Sequence, residues 1–151
     1  MYKILDKNQR EAILSDLEER FGLDQNIFEP FLLFEATKGR IFITSKIPHE
    51  SLNYYIQTLG QLFCRLDATV KPSTNMIQIF GKHATKNVLE LEKKDAQNAI
   101  TGFDLEIKES ACSDGYVILK YKNFFLGCGL LKDGKVKNMI PKAKRIRVDL
   151  L

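Results

Sequence analysis

Apolar residues at Ala12, Ile13, Leu17 and Phe21 recur with the period of an amphipathic helix. Ahead of them, Asp6-Lys7-Asn8-Gln9 has the form of a capping box, in which a cap side chain and a returning Gln satisfy each other's amides. Gly22 is placed to end that helix. Residues 31–36 and 40–44 flank Thr37-Lys38-Gly39 and predict a short β-hairpin. After Pro48, one face of a second helix collects Leu52, Tyr55, Ile56 and Leu59, and Gly60 ends it. Residues 62–66 and 76–80 are expected as two further strands around the turn-rich Lys71-Pro72-Ser73-Thr74-Asn75. The N-terminal half therefore reads αββαββ, a small α+β layer pair.

The pattern changes after residue 87. Residues 88–91 predict a short strand and residues 94–101 a short helix, with Gly102 at its C′ position. Strands follow at 103–107, 116–121 and 124–131, separated by turns at Ser113-Asp114-Gly115 and Lys122-Asn123. Gly127 and Gly129 stand two apart inside a strand, which marks a bulge, a tight corner or a close approach of backbone. From a turn at Lys132-Asp133-Gly134-Lys135 the chain leads through Pro141 to Ile146-Arg147-Val148. A strand-rich unit with one helix near its start predicts a small closed or nearly closed barrel. The polar stretch 82–87 is the expected connection, between an α+β domain over 1–84 and a barrel domain over 87–151.

Composition changes this picture little. With 151 residues, 44% hydrophobic and 28% charged, the chain is of ordinary globular character and long enough to bury a core without staples. Its longest apolar stretches, at 31–34 and 124–131, fall far short of the roughly 20 residues a membrane helix needs. Residues 1–6 have neither the apolar segment nor the cleavage site of a signal peptide, so a soluble cytoplasmic protein is expected. Cys64, Cys112 and Cys128 are widely spaced, as are His49 and His83, and no metal or cofactor is expected.

Charge changes it more. Residues 111–151 hold nine basic residues against three acids, while the other 110 residues are slightly acidic, within a net charge of +4. Such asymmetry points to a polyanion as partner of the C-terminal part. The run from Lys132 to Arg147 concentrates the charge, with seven basic residues against one acid. Gly134, Asn138 and Pro141 would hold these in an irregular loop, where Lys, Arg and backbone amides can face phosphate. Alternation of Lys144 and Ile146 with Arg145 and Arg147 also fits a strand with one charged face, in which case part of the run is simply solvated. A membrane surface is the weaker reading, since no amphipathic helix or lipidation motif supplies an anchor. Catalysis finds no support: Gly127-Cys128-Gly129 lacks a third glycine and a following helix, and Glu90 and Glu92 sit in charged surface sequence.

The stretch from Gly115 through Phe124-Phe125-Leu126-Gly127-Cys128-Gly129, followed by Lys135-Val136-Lys137-Asn138-Met139-Ile140-Pro141-Lys142 and Arg145, resembles the second half of a PUA domain. PUA domains are RNA-binding pseudo-barrels attached to pseudouridine synthases, archaeosine transglycosylases and RNA cytosine methyltransferases. The run from Lys137 to Arg145 is similar to the C-terminal module of RNA 5-methylcytosine methyltransferases of the Nop/Sun type. In the N-terminal half, Ile43-Thr44-Ser45-Lys46-Ile47, Leu59-Gly60 with Phe63, and Ile79-Phe80-Gly81-Lys82-His83 resemble a pre-PUA domain. That domain occurs in small two-domain ribosome-biogenesis factors of the Nip-seven kind.

The resemblance implies an α+β chain: a small N-terminal α/β pre-PUA domain followed by a C-terminal PUA pseudo-barrel. It implies a non-catalytic, cytoplasmic protein that recognises structured ribosomal or transfer RNA, in ribosome biogenesis or RNA modification. RNA contacts fall to Lys132, Lys135, Lys137, Lys142, Lys144, Arg145 and Arg147, with Asn138 as a base or sugar contact. Gly102 stands where the family's glycine-containing loop borders the RNA groove. The slightly acidic N-terminal half is the better surface for ribosome-assembly or RNA-modification proteins, and no membrane partner is expected. An accessory subunit that delivers RNA to a separate modifying enzyme is the alternative. An enzymatic or small-molecule role on a PUA-like barrel rests on fold analogy alone.

Overall fold

The first helix, α1 (Lys7–Phe21), begins as its sequence spells. Asp6 accepts from the Gln9 amide at 2.8 Å, and the Gln9 side chain accepts from the Asp6 amide at 3.1 Å. Gly22, at φ 68, turns the chain away and donates to the Glu18 carbonyl at 2.7 Å. The buried stripe is Ile13, Leu14, Leu17 and Phe21, with Leu14 taking the place expected of Ala12. The Arg10 guanidinium ties the helix to the segment after it, donating to the carbonyls of Phe28 and Phe31 at 2.7 and 2.8 Å.

The computed structural model describes residues 2–46 and 60–146. The expected helix over 52–59, together with His49, lies outside them. The chain divides into two compact units, Met1–Lys71 and Pro72–Leu151.

The first sheet runs β1 (Lys3–Ile4), β2 (Phe31–Thr37), β3 (Arg40–Ser45), β4 (Gln61–Leu66) and β5 (Val70–Pro72), in that spatial order. The expected hairpin is β2–β3, paired from Phe31↔Ser45 to Thr37↔Arg40. Phe21, Leu23, Phe28, Leu33, Ile41 and Phe63 are buried in this unit. Cys64 is buried with them, and burial pushes its thiol up to about 12. Cys128 is also buried and Cys112 half-buried. In the native protein Cys112 should therefore react first with an aromatic disulfide reagent, and Cys64 and Cys128 only on unfolding. Peptide mass mapping after a short exposure reads this directly; early labelling of Cys64 would contradict it.

One expected strand is a helix. Residues 76–80 fall within α2 (Thr74–Phe80), capped by Ser73, whose hydroxyl accepts from the Met76 amide at 3.0 Å. Met76, Ile77 and Phe80 are buried while Gln78 and Ile79 are exposed. That is helical spacing; a strand would put Gln78 on the same face as Met76 and Phe80. Lys71 and Pro72, expected in a turn, close β5 instead. Because α2 packs on a strand of the second unit, that unit begins at Pro72, ahead of the polar stretch 82–87 where composition places the connection.

The second sheet comprises β6 (Val88–Glu90), β7 (Leu105–Glu106), β8 (Gly115–Tyr121), β9 (Phe124–Lys132) and β10 (Lys135–Asn138). Its spatial order is β6-β8-β9-β10-β7, with β6 parallel to β8 and the other pairs antiparallel. Helix α3 (Lys93–Ile100) sits between β6 and β7 in sequence. On one face Ala96, Ala99, Leu105, Val117, Leu119 and Val136 form a core. On the other, Ile118 and Cys128 are register partners and also buried, and α2 covers β9. Two covered faces account for the nearly continuous apolar runs of β8 and β9. The second correction is here: residues 135–138, expected in an irregular loop, pair with β9 and β7. The glycine pair in β9 marks close approach: a Cβ on Gly127 would lie 2.7 Å from Ile140 Cγ1, and one on Gly129 would overlap Val136.

Candidate nucleic-acid interface

Helix α3 ends in a tight loop. Thr101 caps it, its hydroxyl donating to the Gln97 carbonyl at 2.9 Å, and Gly102 follows at φ 100. From β10, Asn138 reaches into this loop and is only 8% exposed. Its Nδ2 donates to the carbonyls of Ala99 at 2.7 Å and Phe103 at 3.0 Å, and its Oδ1 accepts from the Ile140 amide at 2.8 Å. Its own backbone amide donates to Asp104 Oδ1 at 2.8 Å. One amide thus binds the glycine loop, β10 and the segment after β10 together.

That segment carries Arg145 to the loop. Arg145 Nε donates to the Ile140 carbonyl at 2.8 Å, and the Ile146 amide donates to the Ile100 carbonyl at 2.8 Å. The Arg145 side chain lies along Gly102, where an added Cβ would come within 2.7 Å of Cδ and 2.8 Å of Nε. Only glycine admits both the positive φ and this contact. The terminal guanidinium nitrogens have no partner among the described residues, and Phe103, which follows Gly102 in the chain, is 57% exposed. Gly102 and Arg145, chosen separately from sequence, stand in contact.

The lysines fall into two groups. Lys132, Lys135 and Lys137 lie on the β9–β10 hairpin, turned by Asp133 and Gly134 at φ 51 and 79. They line a groove of about 640 Å³ that also holds Asp104, Glu106 and Asp133, and Lys135 faces Glu106 across the strands. Three carboxylates beside three ammonium groups make this a mixed surface with little net field. Lys142 and Lys144 are exposed on a 3-10 turn (Lys142–Lys144) next to Arg145. None of these five lysines has an ion-pair partner among the described residues. Lys144 lines a second groove, about 400 Å³, with Gln78, Ile100, Asn123, Phe124 and Ile146 and no carboxylate among the described residues.

Two of the expected site residues stand differently. The side-chain amide of Asn138, expected at a base or sugar, is buried and bonded to protein atoms on both its ends; it positions the loop instead. Arg147 lies outside the described residues. Sequence reasoning passed over Phe103 and Phe124, the two most exposed aromatics of the second unit. Their positions carried a signal: each is a large apolar residue beside a turn, after Gly102 and after Lys122-Asn123.

Residues 86–146 match the family model described as the methyltransferase RsmF PUA domain, which covers less than half of the chain. No curated protein matches the chain. The matched stretch runs from just ahead of β6 to Ile146 and contains the Gly102 loop, Asn138 and Arg145. The second unit thus carries a PUA-domain module, its curled sheet forming a half-barrel of the PUA-like kind, behind an N-terminal α/β unit. PUA modules bind RNA and are not catalytic. Among the described residues no group of three or more His, Cys, Asp and Glu side chains could hold a metal ion. No helix among them is long and apolar enough to cross a membrane.

Proposed function

We propose that the chain binds structured RNA, ribosomal or transfer, with phosphates held by Arg145, Lys142 and Lys144 beside the Gly102 loop. The observation that carries this is the Arg145 guanidinium laid along Gly102, its terminal nitrogens without a partner among the described residues. A guanidinium held through its Nε beside a glycine backbone offers bidentate phosphate contact at little ordering cost. The resemblance of the N-terminal half to a pre-PUA domain supports a cytoplasmic role in ribosome biogenesis, with protein partners on that half. Residues 1–71 carry nine basic and ten acidic residues, against fourteen and nine in residues 72–151, which favours this division of labour. A second reading is supported by the matched family, whose name is that of a methyltransferase: an accessory protein that presents RNA to a separate modifying enzyme.

RNA affinity measured against salt tests the proposal. Five or six phosphate contacts give a log–log slope of roughly −4, at about 0.7 per contact for single strands. Replacing Lys142, Lys144 and Arg145 by Ala should flatten that slope by roughly two units. Replacing Lys132, Lys135 and Lys137 should flatten it less, because carboxylates already share their groove. Charge reversal at the exposed Glu18 and Glu19 on α1 is the control and should not reduce binding. An unchanged slope in the first variant would remove this face from the interface. Co-purification of the RNA with a methyltransferase or synthase would decide for the accessory reading.

A further inference from the structure

The groove around Phe124 lies beyond the Arg145–Gly102 contact and has its own chemistry. We infer that it holds an unpaired base of single-stranded RNA, stacked on Phe124, with the adjoining phosphate at Lys144. The inference rests on the RNA-binding reading above and names the nucleic-acid form that this part of the surface takes.

Phe124 is 64% exposed although it opens a strand whose centre is buried. The turn holds it there: Lys122 takes φ 51, and Tyr121 and Phe124 close the hairpin as register partners. An aromatic ring that the backbone places largely in solvent beside a groove is available for base stacking. The groove beside it, about 400 Å³, lies within the roughly 300–1,000 Å³ of small-ligand sites.

Its remaining walls fit a nucleotide. Ile100 and Ile146 add apolar area to the lining, and the side-chain amides of Gln78 and Asn123 have no hydrogen-bond partner among the described residues. Amides of this kind donate to and accept from the edges of bases. Lys144 is the charged group of the lining, no carboxylate among the described residues lines the groove, Lys122 directly precedes Asn123, and Lys142 stands two residues before Lys144. A lysine beside an exposed aromatic, with no carboxylate among the described lining residues, is complementary to a polyanion of stacked bases rather than to an acidic-and-basic protein surface. The groove also adjoins the glycine loop, since the Ile146 amide is bonded to the Ile100 carbonyl and Arg145 precedes Ile146. A duplex keeps its base faces stacked inside and cannot use this floor.

The chain contains no tryptophan, so Phe124→Trp in the 151-residue chain gives a single indole reporter. Single-stranded oligo(U) and oligo(A) of roughly twelve nucleotides, near the upper range of single-strand sites, are the probes, with a blunt duplex for comparison. Indole emission should be quenched by the single strands, saturating at the affinity read by anisotropy, and should not respond to the duplex. Phe124→Ala should weaken single-strand binding about tenfold with an unchanged salt slope, because no charge is removed. Wild-type affinity in Phe124→Ala, or emission indifferent to saturating RNA, overturns the inference while leaving the Arg145 face standing. Failure of the parent protein to bind either RNA form at any salt would overturn both readings.

Discussion

Asn138→Ala should lower the stability of the protein by about 3 kcal/mol, the sum of several buried groups losing partners at about 1–3 kcal/mol each. The Ile140 amide, itself in a buried residue, loses its acceptor, and the Phe103 carbonyl loses its donor. The Ala99 carbonyl is hurt less, because it also accepts from the Gly102 amide at 3.1 Å. A small apolar side chain restores none of these bonds, and those to the Ala99 carbonyl and the Ile140 amide are buried. Asn138→Asp is the sharper companion. It keeps an acceptor for Ile140 but sets a second carboxylate oxygen against two carbonyls, so it should be at least as destabilising as Ala near neutral pH. Urea unfolding followed by circular dichroism measures both. A loss below about 1 kcal/mol for Ala would show that the amide does not hold the loop.

That buried amide also explains why the site was only half legible in the sequence. Residues 135–138 alternate exposed, buried, exposed, buried, so the period of a strand was present. The obstacle was chemical: a polar Asn at an inward position reads as loop until its partners are known. Those partners are the carbonyls of Ala99 and Phe103, 39 and 35 residues earlier, and no local rule supplies them. The capping box of α1, the β2–β3 hairpin and the β8–β9 pair were legible because each is specified within a few residues of itself. Residues 76–80 were not, since five residues with four apolar positions fit a buried strand or one helical turn equally well. Ser73 decided between them, and a capping serine in a turn-rich stretch carries no label of its own. Gly102 was named through family resemblance and Arg145 through the basic run, but their contact is a tertiary fact. Phe124 went unread because exposure at the first position of an apolar strand depends on how the preceding turn is wound.

Gly102→Ala should reduce stability by about 2 kcal/mol and RNA affinity about tenfold. Two effects add in the stability figure. A side chain at φ 100 carries roughly 1–2 kcal/mol of backbone strain. The new Cβ, 2.7 Å from Arg145 Cδ, must also push the guanidinium away and break its bond to the Ile140 carbonyl, which contributes about 1 kcal/mol. The affinity loss comes from the second effect alone, because displacement of Arg145 removes the proposed charged phosphate contact, about 1.5 kcal/mol. Arg145→Ala separates the two, since it loses the contact without adding strain. In the double variant the clash is gone, so stability should fall by less than the sum of the single losses, and RNA affinity should fall no further than in Arg145→Ala alone. That non-additivity, read from denaturant midpoints and anisotropy, measures the coupling of loop and arginine. Strictly additive losses in both readouts would mean that Arg145 meets RNA independently of the glycine loop.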